Sequence, residues 1–382
     1  MHSRSTPDDD DPLAAALRPP PDESPDTRAL RLAREEDARR VSRAIDDAIR
    51  AERQLNKKRR IVRVLLLGQS ESGKSTTLRQ FQRLYTPTAF REERVHWRAV
   101  VQLNLIRSVH TILAALAGGG GGGEEAGAGA GAADEPQSAL WACRKDLMAL
   151  WGSQRVREVL ALKRVRLEDE SGFFLNDLPR LTAHDYFPTD DDVLKARLKT
   201  IGVSEYKFEL EAGPQSGTEW RIVDVGGSRF QVPTWVPFFD DVDAIIFLAP
   251  ISAFDQVLAE DPKVNRLEDS VLLWKAVCSN RLLAHVDLVL FLNKCDLLAR
   301  KLGAGTRLAK YVRSYGDRSN DVDTASKYFR SKFSAIQRAY SPAPRKFYGF
   351  CTSVTDTATT AGILVSVRDI VLRQHLRQSK LV

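Results

Sequence analysis

Residues 68 to 75 read Gly68-Gln69-Ser70-Glu71-Ser72-Gly73-Lys74-Ser75: a glycine, four spacers and a Gly-Lys-Ser. That spacing suits a loop that cradles phosphate. Backbone N–H groups of the loop and of the following helix converge on anionic oxygens, Lys74 reaches the outer phosphates, and the Ser75 hydroxyl can ligate Mg²⁺. Two further stretches carry complementary chemistry. Asn293-Lys294-Cys295-Asp296 follows a very apolar run, and the Asp296 carboxylate can accept two hydrogen bonds from guanine N1–H and the exocyclic amine, a pair that adenine does not present. Asp224-Val225-Gly226-Gly227 closes the run WRIVDV. An aspartate there holds Mg²⁺ through water, and a following glycine can offer its N–H to a γ-phosphate.

These residues need strands that end together. Candidate strands are IVRVLLL before the loop, YKFEL (206–210), EWRIVDV (219–225), DAIIFLA (243–249), VDLVLFLN (286–293) and KFYGFCT (346–352), and helical patterning alternates with most of them. That alternation predicts an α/β fold with a mostly parallel sheet covered on both faces and ligands at the carboxyl ends of its strands. A helix is predicted from Ser75 onward. Between 85 and 195 the strand signal vanishes and amphipathic helical patterning takes over, which predicts an all-α domain inserted between residues 61–84 and 196–382. Inside it, residues 117–136 form a Gly/Ala-rich spacer. Residues 28–60 are predicted as one long charged helix, and residues 1–27, rich in Pro and Asp, as a disordered tail.

Composition narrows the setting. The 382 residues include 57 Lys+Arg and 50 Asp+Glu, a net charge of +7 spread along the chain. Such an excess suits acidic surfaces and does not call for nucleic acid. Cys143, Cys278, Cys295 and Cys351 are widely spaced, without a CxxC pair, and read as reduced thiols of a cytosolic protein. No apolar stretch is read as a membrane span of about 20 residues, and MHSRSTPDDDDP lacks the apolar core of a secretory signal. There is no Met-Gly start for myristoylation, and the first cysteine is Cys143.

With these motifs in place, the chain resembles the heterotrimeric G protein α subunits from about residue 28 to its end. The marks are LLLGQSESGKST (65–76), NDLPRLTAHDYFPTDDDVLKARLKTIGV (176–203), DVGG (224–227), FDQVLAEDPKVNRLEDSVLLW (254–274), FLNKCDLL (291–298) and CTSVTDT (351–357). The resemblance implies a Ras-like GTPase domain with an inserted helical domain and an N-terminal helix. It also implies GTP or GDP as ligand and Mg²⁺ as cofactor, with Ser75 and Thr200 as metal ligands. Arg197 would be the built-in arginine finger, paired with Glu71 across the nucleotide. Glu71, Ser72, Gly73, Lys74, Ser75, Thr76, Leu194, Arg197, Thr200, Asp224 and Gly227 would bind phosphates, metal or sugar. Asn293, Lys294 and Asp296 would hold the guanine, with Thr355 and the Val354 backbone on its other edge. Implied partners are a βγ dimer, a seven-helix receptor docking on the C-terminal helix, and an effector, at the cytoplasmic face of the plasma membrane.

Two positions depart from the family pattern. Ser228 stands where relatives carry a glutamine that orients the attacking water, and a serine hydroxyl is too short for that task. Ser70 replaces a glycine that lies against the γ-phosphate. Both weaken hydrolysis and leave binding intact, so a slow GTPase is expected, with Ser228 in the catalytic set. The alternative is a pseudo-GTPase that holds nucleotide and scaffolds partners without turnover. Switch II also departs: in FQVPTW (230–235) Val232 and Pro233 stand where relatives have a charged helix, and an interior proline costs a helix roughly 3 kcal/mol. The docking surface for βγ is therefore altered. Ser379, in the C-terminal HLRQSKLV, replaces a cysteine that some relatives carry.

Overall fold

A computed structural model describes residues 23–58, 61–117, 136–163, 165–200, 202–209 and 218–378. The chain divides into two compact units, residues 1–60 and 61–382. The first holds helix α1 (Pro25–Lys58). It begins earlier than the expected Arg28 because Ser24 accepts a hydrogen bond from the Thr27 N–H and Pro25 takes the first helical position, where its missing N–H costs nothing. Arg31 bridges Glu23 and Glu35 along the helix, each at 2.8 Å. The expected disordered tail otherwise lies outside the described residues, as does the spacer at 118–135 and Ser379.

The second unit is built on a six-stranded sheet in the order β2-β3-β1-β4-β5-β6. The strands are β1 (Ile61–Gly68), β2 (Val203–Glu209), β3 (Glu219–Val225), β4 (Ala244–Pro250), β5 (Asp287–Asn293) and β6 (Tyr348–Cys351). Every neighbouring pair is parallel except β2 with β3. β1, β4 and β5 read as unbroken apolar runs because both faces are covered. Successive side chains feed opposite cores. Leu65, Leu67, Phe247 and Leu290 pack with Trp274 of α9 (Arg266–Ser279), Leu298 of α10 (Cys295–Gly303) and Phe333 of α11 (Val322–Tyr340). Leu66, Ile246 and Phe291 pack on the other face with Phe81 of α2 (Lys74–Tyr85) and Val367 and Val371 of α12 (Thr357–Gln378). The parallel arrangement carries Gly68, Val225 and Asn293 to one edge of the sheet.

Between α2 and β2 the described residues form no strand. They make α3 (Pro87–Leu116), α4 (Pro136–Ala142), α5 (Arg144–Gly152), α6 (Gln154–Leu162), α7 (Leu178–Leu181) and α8 (Asp190–Lys195). By length and composition α3 is apolar enough to cross a membrane, with a window of mean hydropathy 1.4, which corrects the sequence reading. Its Leu105 and Ile112 are instead buried with Leu140, Val156 and Leu160 of α4 and α6. One side of it packs on these helices, while Leu103, Ile106 and Leu113 are exposed.

Candidate nucleotide-binding site

The cradle depends on two glycines. At Gly68 (φ +140) a Cβ would stand 2.4 Å from the Leu248 carbonyl oxygen, and at Gly73 (φ +105) it would meet Asn293 Nδ2 at 2.4 Å. Glu71 adopts a left-handed φ of 60, uncommon for a residue with a side chain. Ser70 does not share that conformation; its Cβ therefore meets no backbone penalty. Gly73 precedes α2, whose first-turn N–H groups lack helical partners and face any anion bound there. Buried Lys74 donates from Nζ to the carbonyl oxygens of Gly68 and Gln69, both at 2.8 Å. Burial draws its pKa down to about 8, against the pull of Asp224. The buried Ser72 hydroxyl has no hydrogen-bond partner among the described residues, and a phosphate oxygen would satisfy it.

Three elements meet at Ser75. Its hydroxyl donates to Asp224 Oδ2 at 2.6 Å and lies 2.9 Å from Thr200 Oγ1. Asp224 is buried, and that burial raises its carboxyl despite nearby Lys74. Its Oδ1 has no partner among the described residues. Two hydroxyls and an orphaned carboxylate oxygen suit a hard cation such as Mg²⁺, which takes oxygen ligands and leaves further positions for phosphate and water. Among the described residues no group of three His, Cys, Asp or Glu could hold a metal. Thr76 is half-buried one residue further on.

At the base loop the residues divide. Asn293 is engaged within the protein: Nδ2 donates one hydrogen to the Ser72 carbonyl at 2.7 Å, while Oδ1 accepts from Thr352 Oγ1 and from the Val354 N–H. The Val354 carbonyl accepts from Gln80 Nε2 at 2.8 Å, so both backbone groups of Val354 are engaged within the protein. These two residues pin the phosphate loop to the 352–354 loop. Lys294 takes a left-handed φ of 64. Burial, helped by Arg266, draws its pKa down to about 8 against Glu71 and Asp296. Asp296 and Thr355 are exposed, and Asp296 makes no ion pair with a described residue.

Arg197 pairs with Glu71 at 2.5 Å, as the resemblance implies, and Arg266 approaches the other carboxylate oxygen at 3.6 Å. Burial works to raise the Glu71 carboxyl, but Arg197, Arg266 and Lys294 together hold it below the usual range. Leu194 is buried, so only its backbone can face a ligand. Arg79 fixes that stretch by donating to the carbonyls of Val193 and Ala196, each at 2.8 Å. Sequence reasoning missed Asn104, a buried polar residue of α3 that grips the Arg197 backbone. Its signal was an amide set, like Gln102, among the apolar positions Val101 and Leu105, since a buried amide needs partners. Gly172 (φ +81) packs over it, where a Cβ would stand 2.4 Å from Asn104 Oδ1.

The G-protein alpha subunit family profile matches residues 39–371. The chain belongs to the G-protein alpha subunit family. It is 32% identical over 349 residues to the guanine nucleotide-binding protein alpha-2 subunit of Neurospora crassa, covering 88% of this chain and 95% of that one. Against the alpha-7 subunit of Caenorhabditis elegans it is 31% identical over 354 residues, 90% of this chain and 96% of that one. The alpha-4 subunit of Mycosarcoma maydis is 40% identical over 255 residues, 64% of this chain and 43% of that protein, so the match spans less than half of that relative's length. Alpha subunits are guanine-nucleotide-binding signalling switches and, as a class, GTPases that generally use Mg²⁺.

In this alpha subunit the segment after DVGG departs from a charged helix. Residues Arg229–Phe238 form a 3₁₀ helix that contains Pro233 and Pro237. Trp235 anchors it, donating from Nε1 to the Gly226 carbonyl at 3.1 Å. Arg229 pairs with Asp269 at 2.9 Å, and the same carboxylate accepts from Gln69 of the phosphate loop at 2.5 Å. Gly227 lies on that loop: its carbonyl accepts from the Ser70 N–H at 2.9 Å, and a Cβ there would stand 2.5 Å from Lys74 Nζ.

Proposed function

We propose that this alpha subunit is a slow, Mg²⁺-dependent GTP-hydrolysing switch that couples a receptor to an intracellular effector. The observation that carries the reading is the hydrogen-bonded trio of Ser75, Thr200 and Asp224. It ties the phosphate loop to both segments that would respond to a γ-phosphate, so the presence of that phosphate and its cation can be read out as order or disorder in those segments. Mg²⁺, held there by Ser75 and Thr200 with Asp224 behind them, would neutralise phosphate charge. Lys74 and the first-turn N–H groups of α2 bind the β- and γ-phosphates. Asp296 selects guanine, while Asn293 and Val354 hold the loops that present it.

Hydrolysis needs charge on the transferring phosphoryl group and an oriented water. Arg197, held by Glu71, supplies the first. In GTPases as a class, this family included, an arginine finger is worth about 10³–10⁵ in rate, a magnitude taken from that class. Ser228 lacks the reach for the second, and the Ser70 side chain narrows the space in which a replacement could work. The helical run from 85 to 195 is the inserted domain of this reading, and residues 61–84 and 196–382 are its GTPase domain. A βγ dimer would engage α1 more than the altered 229–238 surface, and a receptor would engage α12. The protein would work in the cytoplasm, at the inner face of the plasma membrane.

The hydrogen bond from Ser70 N–H to the Gly227 carbonyl favours a second reading. It closes the 226–228 segment on the phosphate loop, as in a protein that holds nucleotide and scaffolds partners without turnover. Single-turnover hydrolysis of radiolabelled GTP, started by adding Mg²⁺, separates the two. Release of labelled phosphate at a slow but measurable rate supports the GTPase, and bound GTP that stays intact over many hours supports the scaffold.

A further inference from the structure

The missing carboxamide at residue 228 has a counterpart nearby. Gln231 lies on the 3₁₀ segment and folds back toward the sheet edge, its Oε1 accepting from Ser228 Oγ at 2.7 Å. Its carboxamide covers the α-carbon of Gly226, where a Cβ would meet Oε1 at 2.2 Å and Nε2 at 2.4 Å. A Cβ at 226 would push the carboxamide aside. Gly226 is itself fixed from two sides, with its N–H donating to the Gly202 carbonyl at 2.8 Å and its carbonyl accepting from Trp235 at 3.1 Å. Asp224 lies two residues before it, and Gly227, against Lys74, directly follows it. The carboxamide therefore lies at the carboxyl end of β3, against the glycine bonded to Gly202 and one residue before the glycine that faces Lys74.

We propose that Gln231 supplies the water-orienting carboxamide that residue 228 lacks, with Ser228 as its positioning residue. The proposal rests on the GTPase reading. By donating to Oε1, Ser228 fixes the amide plane and leaves Nε2, which makes no hydrogen bond with a described residue, to contact the water. In the step served, the water oxygen bonds to the γ-phosphorus and the bond to the β–γ bridging oxygen breaks. The electron pair leaves with GDP, and the water proton ends on inorganic phosphate. Reaching the water from three residues away along a 3₁₀ helix, the amide is held through one side-chain hydrogen bond rather than by its own backbone. That looser hold is consistent with a slow rate, since a misplacement of about 1 Å can cost on the order of 10² in rate.

The test is single-turnover GTP hydrolysis by the full chain as wild type, Gln231→Ala, Gln231→Glu, Ser228→Ala and the double variant Ser228→Ala/Gln231→Ala, with GTP and GDP affinities measured alongside. Gln231→Glu keeps the acceptor for Ser228 and removes the Nε2 donor, so it separates the donor role from local packing and serves if the alanine variant fails to fold. The expected result is a loss on the order of 10² for both Gln231 variants, with affinities unchanged for Gln231→Ala. A smaller loss is expected for Ser228→Ala, and the double variant should be no slower than Gln231→Ala. Wild-type turnover that survives both Gln231 changes overturns this role alone. A wild type without turnover overturns the role and the GTPase reading together.

Discussion

Asn104 holds both backbone polar groups of Arg197: its Oδ1 accepts from the Arg197 N–H at 2.6 Å, and its Nδ2 donates to the Arg197 carbonyl at 2.9 Å. The α3 helix thereby fixes the backbone from which the arginine reaches Glu71. Asn104→Ala should slow GTP hydrolysis by about 10 to 10² and leave guanine-nucleotide affinity little changed. The double variant Asn104→Ala/Arg197→Ala should be no slower than Arg197→Ala, because both act through one group. Multiplicative losses in single-turnover assays would assign Asn104 a role apart from Arg197.

Base selection and loop positioning should separate by mutation. Asp296→Asn is expected to shift preference from guanine toward xanthine, whose 2-oxo group suits an amide donor, with little loss of stability because the side chain is exposed. Asn293→Ala strips partners from the Ser72 carbonyl and the Val354 N–H. It should cost about 1–3 kcal/mol of stability and weaken every nucleotide without altering the order of preference. Competition binding and thermal unfolding on the two variants check this division.

Much of this site was legible in the sequence because its residues answer to spacing and backbone geometry. Gly68, Gly73 and Lys74 follow from the shape of a phosphate cradle, and the apolar runs of β1, β4 and β5 follow from burial on both faces. Contacts made across long stretches of chain were not legible. Asn293 and Asp296 belong to one tetrapeptide, yet the first turns into the protein and the second out of it, a division set by the left-handed turn at Lys294. Asn104 meets Arg197 only because α3 passes beside the loop after α8. The start of α1 was visible in Ser24-Pro25-Asp26, a cap, a first-position proline and a first-turn acid, but the surrounding Pro/Asp-rich composition obscured it.

The Glu71 cluster predicts a dependence on acid. Its folded pKa lies below the ordinary 4.5, so as pH falls the unfolded chain takes up this proton first. The stability it contributes is present above 4.5 and is lost as pH falls through the lower folded value. Glu71→Gln should therefore melt below wild type at neutral pH, with the gap closing in acid. Melting temperatures measured across pH test this, and a gap that stays constant would remove Glu71 from the charge cluster.

The metal site predicts a nucleotide-dependent change in order. Ser75 and Thr200 offer only hydroxyls, so Mg²⁺ should bind tightly only with a triphosphate present. A non-hydrolysable GTP analogue with Mg²⁺ should protect residues 195–235 from protease more than GDP does, and chelation by EDTA should reverse it. Equal protection by both nucleotides would contradict the assignment of Thr200 and the 226–238 segment as switches.

Ser70 and Ser228 should limit hydrolysis jointly, as measured by single-turnover GTP hydrolysis on wild type, Ser70→Gly, Ser228→Gln and the double variant. Each single change should gain little: a glutamine at 228 meets the Ser70 side chain and removes the hydroxyl that holds Gln231, and a glycine at 70 still leaves the water to the loosely held Gln231 amide. The double variant should recover a large rate, with Arg197 then supplying charge to the phosphoryl oxygens, because groups acting on one transition state are non-additive. A wild type already as fast as the double variant would contradict the slow-switch account.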